Sequence, residues 1–89
     1  MQREVKALYA QVLCAFIKER VEECPNGELD KEELYGALIH YCNKKNFAIP
    51  AKDFVSRNLQ TFLPDARSGY CRVQGQIKRA WMNIRLKKQ

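Results

Sequence analysis

Arg67-Ser-Gly-Tyr-Cys-Arg-Val-Gln-Gly-Gln-Ile-Lys-Arg-Ala-Trp-Met-Asn-Ile-Arg-Leu-Lys-Lys88 is the stretch on which the reading of this chain turns. Gln74-Gly75 lies between two runs that carry β-branched and aromatic residues at short spacing, which predicts a β-hairpin turned at Gly75. Its first strand is expected over Tyr70–Val73 and its second from about Gln76 to Leu86. Residues 66–89 hold seven basic side chains and no acid, whereas residues 1–65 hold nine basic and ten acidic ones. The net charge of +6 is therefore +7 at this end against −1 in the rest. A ribbon of one charge sign with Tyr70 and Trp81 among its cations is suited to lie against a polyanion.

Alternation along the second strand is imperfect. Met82, Ile84 and Leu86 share a phase that Trp81 does not, so a strand that buries both Trp81 and Ile84 must bend between them. Asn83 tolerates positive φ better than other non-glycine residues and is the expected place of that bend.

Working back towards the N-terminus, Val5, Leu8, Tyr9, Val12, Leu13, Phe16, Ile17 and Val21 form one helical stripe within Arg3–Glu23. Lys6, Gln11, Lys18 and Glu22 fall off it, and Cys24-Pro25-Asn26-Gly27 supplies the turn that ends the helix. Glu28-Leu29-Asp30 has the length of one short strand. Asp30-Lys31-Glu32-Glu33 then has the form of a capping box opening a second helix from about Lys31 to Lys45, with Leu34, Tyr35, Leu38, Ile39 and Cys42 inward. Pro50 is suited to the first position of a third helix, about Ala51 to Leu63, that buries Phe54, Val55, Leu59 and Phe62 and stops before Pro64. Its other face carries Lys52, Ser56, Arg57, Gln60 and Thr61, hydrogen-bonding groups able to read a groove edge. Leu63 to Gly69 is expected to link this helix to the hairpin.

The 89 residues make one domain, 1–89, with room for one modest core but not for an enzyme cleft walled by two layers. No apolar run is long enough for a membrane span or signal peptide, which places the protein inside a cell, in cytoplasm or nucleus. Cys14, Cys24, Cys42 and Cys71 include no C-x-x-C and read as reduced, buried thiols; His40 and Cys42, two apart on a helix, point to different faces and do not make a zinc site. No phosphate loop, nucleophile elbow or paired carboxylates in a cleft are present, so neither an enzymatic activity nor a cofactor is expected.

Three helices followed by a two-stranded ribbon, with Glu28–Asp30 as a candidate third strand, give the α+β element order of a winged helix. The succession Glu33-Leu34-Tyr35, Tyr41-Cys42-Asn43-Lys44-Lys45-Asn46, Phe54, the basic hairpin and Trp81-Met-Asn-Ile-Arg-Leu86 resembles the C-terminal winged-helix domain of plasmid, phage and poxvirus primase-helicase replication proteins. Asn83 stands where that family usually has Gly, as suits a bend. Phe62-Leu63-Pro64 and Gly75-Gln76-Ile77-Lys78 are similar, more distantly, to segments of the regulatory factor X DNA-binding domain.

The resemblance implies a DNA-binding module of a replication-initiation protein whose primase and helicase chemistry belongs to other domains. Duplex DNA is the expected partner, contacted by Lys52, Ser56, Arg57 and Gln60 from helix three and by Arg67, Arg72, Lys78 and Arg79 from the hairpin. Arg85, Lys87 and Lys88 would add backbone contacts. The alternatives are a protein-interaction winged helix, or single-stranded nucleic-acid binding with Tyr70 and Trp81 as stacking platforms.

Overall fold

Helix α1 (Gln2–Arg20) runs along the predicted stripe, with Val12, Leu13, Phe16 and Ile17 buried, Tyr9 half-buried and Leu8 exposed. The computed structural model describes residues 2–87, with side chains from Ala7 onward, so the expected inward place of Val5 and outward place of Lys6 lie outside the described side chains. The helix ends three residues earlier than its periodicity predicts. Val21 continues the helical stripe in the sequence and is buried as a strand residue, so hydrophobic spacing alone cannot decide between the two conformations. Strand pairing decides: Val21, Glu22 and Glu23 face Leu86, Arg85 and Ile84, and the Lys87 N–H donates to the Arg20 carbonyl at 2.7 Å.

These residues open β1 (Val21–Asp30), far longer than the single rung expected at Glu28–Asp30. Next come α2 (Lys31–Lys45), α3 (Lys52–Phe62), β2 (Arg67–Val73) and β3 (Gln76–Leu86). The fold is α+β, three helices with one three-stranded antiparallel sheet of order β1-β3-β2, so the last strand lies between the other two. Strand β2 starts three residues before the expected Tyr70, because Arg67, Ser68 and Gly69 pair with Met82, Trp81 and Ala80 and leave only residues 63–66 as linker. At the tip Gln74 and Gly75 have φ of 50° and 80°, the left-handed pair that a tight two-residue hairpin needs. Among the described residues no helix is long and apolar enough to cross a membrane.

The Asp30 carboxylate caps α2 by accepting the Glu32 N–H at 2.9 Å, and Asn46 closes the helix in the left-handed conformation with φ of 59°. Leu34, Leu38 and Cys42 point inward as expected; Tyr35 and Ile39 are only half-buried, and Tyr41 takes a core place instead. Helix α3 begins after Ala51, so Pro50 lies one residue before the cap, buried, and not in the first turn. Its carbonyl accepts the Tyr35 hydroxyl at 2.7 Å, which ties the α2–α3 loop to α2. Phe16, Leu13, Leu34, Leu38, Leu59 and Ile84 are the fully buried centre of the core, each stabilising the fold by about 1.5–3 kcal/mol relative to an exposed side chain. Cys42 packs in the core, and burial raises its thiol above the ordinary range.

The bend in β3 falls at Asn83, with φ of 68°, and Trp81 and Ile84 are both buried. Opposite it, the β1 register jumps from Glu23 to Glu28 while β3 advances only from Ile84 to Met82. Cys24-Pro25-Asn26-Gly27 is thus a bulge inside a strand and does not terminate the first helix. Asn83 holds both sides of the distortion: its Oδ1 accepts the Asn26 N–H at 3.4 Å and its Nδ2 donates to the Asp65 carbonyl at 3.1 Å.

Gly27 is required by this approach, since a Cβ there would lie 2.7 Å from the Ile84 carbonyl oxygen and 2.9 Å from that of Cys24. Gly27→Ala is expected to lower stability by about 1–3 kcal/mol in urea denaturation. Gly36, exposed on α2 with open space for 4 Å around the place a Cβ would take, should give the opposite sign, with Gly36→Ala gaining up to about 1 kcal/mol. The Tyr41 hydroxyl donates to the Glu19 carboxylate, and burial together with that carboxylate pushes its pKa up to about 12. The folded state therefore holds this proton more tightly than the unfolded chain. Its contribution is complete below pH 10 and is lost as pH rises towards about 12. Thermal melts over that interval should show wild type losing its advantage over Tyr41→Phe, which has no proton to lose.

Candidate nucleic-acid interface

Between the first turns of α2 and α3 and the middle of β3 lies a cleft of about 470 Å³. The sheet brings β3 here because Leu29 and Asp30, which lead into α2, pair with Trp81 and Ala80. Trp81, 3% exposed, joins the core beside the cleft, and the Lys31 ammonium sits 4.4 Å from its ring centroid. The same nitrogen donates to Ser68 Oγ at 2.7 Å and so fastens the start of α2 to β2. Trp81 is therefore not the exposed stacking platform that the sequence allowed.

Lys31, Lys52, Lys78 and Arg79 line this cleft, together with Asp30, Glu32 and Asp53. Burial, and then the nearby Arg79 charge, pull the Lys31 pKa down. Two cations are thus held close enough to repel. Lys78 lies 3.8 Å from Asp30, and Lys52 lies 5.6 Å from the Tyr35 ring centroid. Four cations against three carboxylates leave the cleft only slightly positive, so its charge alone does not select a polyanion.

The stronger field belongs to the hairpin beyond it. Tyr70 pairs with Arg79 and Arg72 with Ile77, so these four side chains share the ribbon face that holds Trp81 nearer the core. No acidic residue occurs on the ribbon, and neither Arg72 nor Arg79 has an acidic partner among the described residues.

The expected contact residues divide accordingly. Lys52, Ser56, Lys78 and Arg79 meet around the cleft, Arg72 extends their surface, and Arg57 is exposed on α3. Gln60 is occupied elsewhere: its Nε2 donates to the Ala66 carbonyl at 2.8 Å, which clamps the linker to α3. Arg67 Nη1 likewise donates to the Pro64 and Ala66 carbonyls, at 2.7 and 3.2 Å. At the other end of β3, roughly 20 Å along the strand from Arg79, Arg85 pairs with Glu22 at 3.1 Å and the Lys87 ammonium donates to the Lys18 carbonyl at 2.6 Å. Glu23 also lies there, its pKa raised by a hydrogen bond with Asp65 and by the charge of that residue. The cations of the last third are therefore not one surface. Lys88 lies outside the described residues.

Two members of the surface have no linear signature. Lys31 reads as an ordinary first-turn residue, and only strand pairing sets it over Trp81. Ile77 is an apolar strand residue, yet the ribbon outruns the helices and leaves it 68% exposed.

In comparisons with known proteins, no family model matches the chain and no curated protein matches it.

Trp81 is the sole tryptophan. Lys31→Ala should red-shift its emission by opening the ring to water while costing at most about 1 kcal/mol of stability. An unchanged spectrum would mean that Lys31 does not shield the indole.

Proposed function

We propose that this chain is a winged-helix domain that binds duplex DNA, with β2–β3 as the wing and α3 as the second contact element. The observation that carries the reading is the ribbon face on which Arg72 and Arg79 project without an acidic partner among the described residues, beside the Lys31 and Lys52 ammonium groups of the cleft. Like charges held together in the free protein are relieved when a phosphate comes between them. The first turn of α3 lines the same cleft and has no side-chain cap, so its N–H groups add to the attraction for phosphate. Arg57 lies on the exposed part of α3 and offers a fork for a base edge. The contact set is Lys31, Lys52, Ser56, Arg57, Arg72, Lys78 and Arg79, while Gln60, Arg67, Arg85 and Lys87 belong to the scaffold that orients it.

The resemblance to the C-terminal domains of primase-helicase replication proteins supports a place in replication initiation, with helicase and primase domains as the parent partners.

Fluorescence anisotropy with labelled duplex at several salt concentrations tests this reading. With five or six phosphates neutralised, log K should fall against log salt with a slope of about −5. Arg72→Glu with Arg79→Glu should abolish binding without changing the melting temperature by more than a few degrees, since both side chains are exposed. Absent or salt-insensitive binding would overturn the reading and favour an acidic protein partner.

A further inference from the structure

Tyr70 and Ile77 are 67% and 68% exposed, the largest values among the big apolar side chains described. They occupy one face of the ribbon, and their placement there is regular. Tyr70 is opposite Arg79 and Ile77 is opposite Arg72, so one diagonal of this four-residue patch is apolar and the other is cationic. The same face nearer the core is closed by buried Trp81, so its apolar character continues past the point where the helices cease to cover it. Nothing in the fold requires Tyr70 or Ile77 to be apolar, and a solvated hairpin tip is ordinarily polar.

We propose that this patch caps the exposed face of the last base pair of a duplex, which makes a junction between double-stranded and single-stranded DNA the preferred ligand of the site. The inference rests on the DNA-binding reading above and narrows it. An apolar, partly aromatic surface flanked by two guanidinium groups matches the π-face of a base flanked by its two phosphates. Base pairs inside a duplex do not present that face, and exposing it there costs a few kcal/mol of stacking for each opened step. At a junction the face is already exposed. The strand continues past it, so the junction base has a phosphate on each side along one strand, one for Arg72 and one for Arg79; at a blunt end each terminal base keeps only one, and the pair's two phosphates lie on opposite strands.

The test compares wild type, Tyr70→Ala and Ile77→Ala on three labelled DNAs: a duplex with a single-stranded tail, the same duplex blunt, and the tail alone. A 2-aminopurine placed at the junction reports stacking. Wild type is expected to bind the tailed duplex about tenfold more tightly than the blunt one and to change the 2-aminopurine emission on binding. Each substitution should bring the tailed duplex towards the blunt value while leaving blunt-duplex affinity within about twofold. Circular dichroism of the variants should match wild type, since both side chains are solvent-facing.

Equal binding of tailed and blunt duplex by wild type, or variants that keep the preference, would overturn the junction assignment and leave duplex binding intact. Tightest binding to the tail alone would overturn it in favour of a single-strand site. No binding to any of the three would overturn both readings together.

Discussion

The rest of the molecule depends on a steric requirement in β3: Trp81 and Ile84 must enter the same core from a strand whose side chains alternate. Left-handed backbone at Asn83 resets the alternation between them. That reset obliges β1 to bulge on the other side, and the bulge is stitched down by the Asn83 amide and closed where Gly27 meets the Ile84 carbonyl. The same amide holds the Asp65 carbonyl, which fixes where the chain leaves α3 and enters the hairpin. One residue therefore governs the direction in which the ribbon leaves the helical body.

Charge is sorted along that ribbon. Near Asn83 the basic residues are balanced by hydrogen bonds and acids drawn from α1, β1 and the linker: Arg85 by Glu22, Lys87 by the Lys18 carbonyl, Arg67 by the Pro64 carbonyl. These interactions hold exposed segments together and contribute little individually, since water competes for every partner. On the hairpin side of Ala80, Lys78 pairs with Asp30, and Arg72 and Arg79 have no acidic partner among the described residues. The electropositive region is consequently smaller than the run of basic residues, and it includes Lys31 and Lys52 from distant parts of the chain.

Much of the helical frame was legible in the sequence. The span Lys31–Lys45 follows from the Asp30 cap and the spacing of Leu34, Leu38 and Cys42, and β3 follows from the Gln74-Gly75 turn and the residues after it. The end of α1 was not legible, because Val21 satisfies a helical and an extended pattern equally. Most of β1 was hidden for a related reason. Pro25, Asn26 and Gly27 are turn formers, and only a partner strand with a matching bend converts them from a stop into a bulge.

Composition and local pattern by themselves determined the three helices, the hairpin with its turn, the bend at Asn83 and the absence of acids after Asp65, since each follows from backbone preferences or from counting. The tertiary structure alone decided which cations pair within the fold, that Trp81 is covered while Tyr70 and Ile77 are not, and that Lys31 lies over Trp81 at the cleft. Those outcomes depend on which surfaces the helices reach to cover, and on contacts between residues tens of positions apart. The physical reason is that burial and ion pairing are properties of neighbourhoods in space, to which nearness along the chain is only a partial guide.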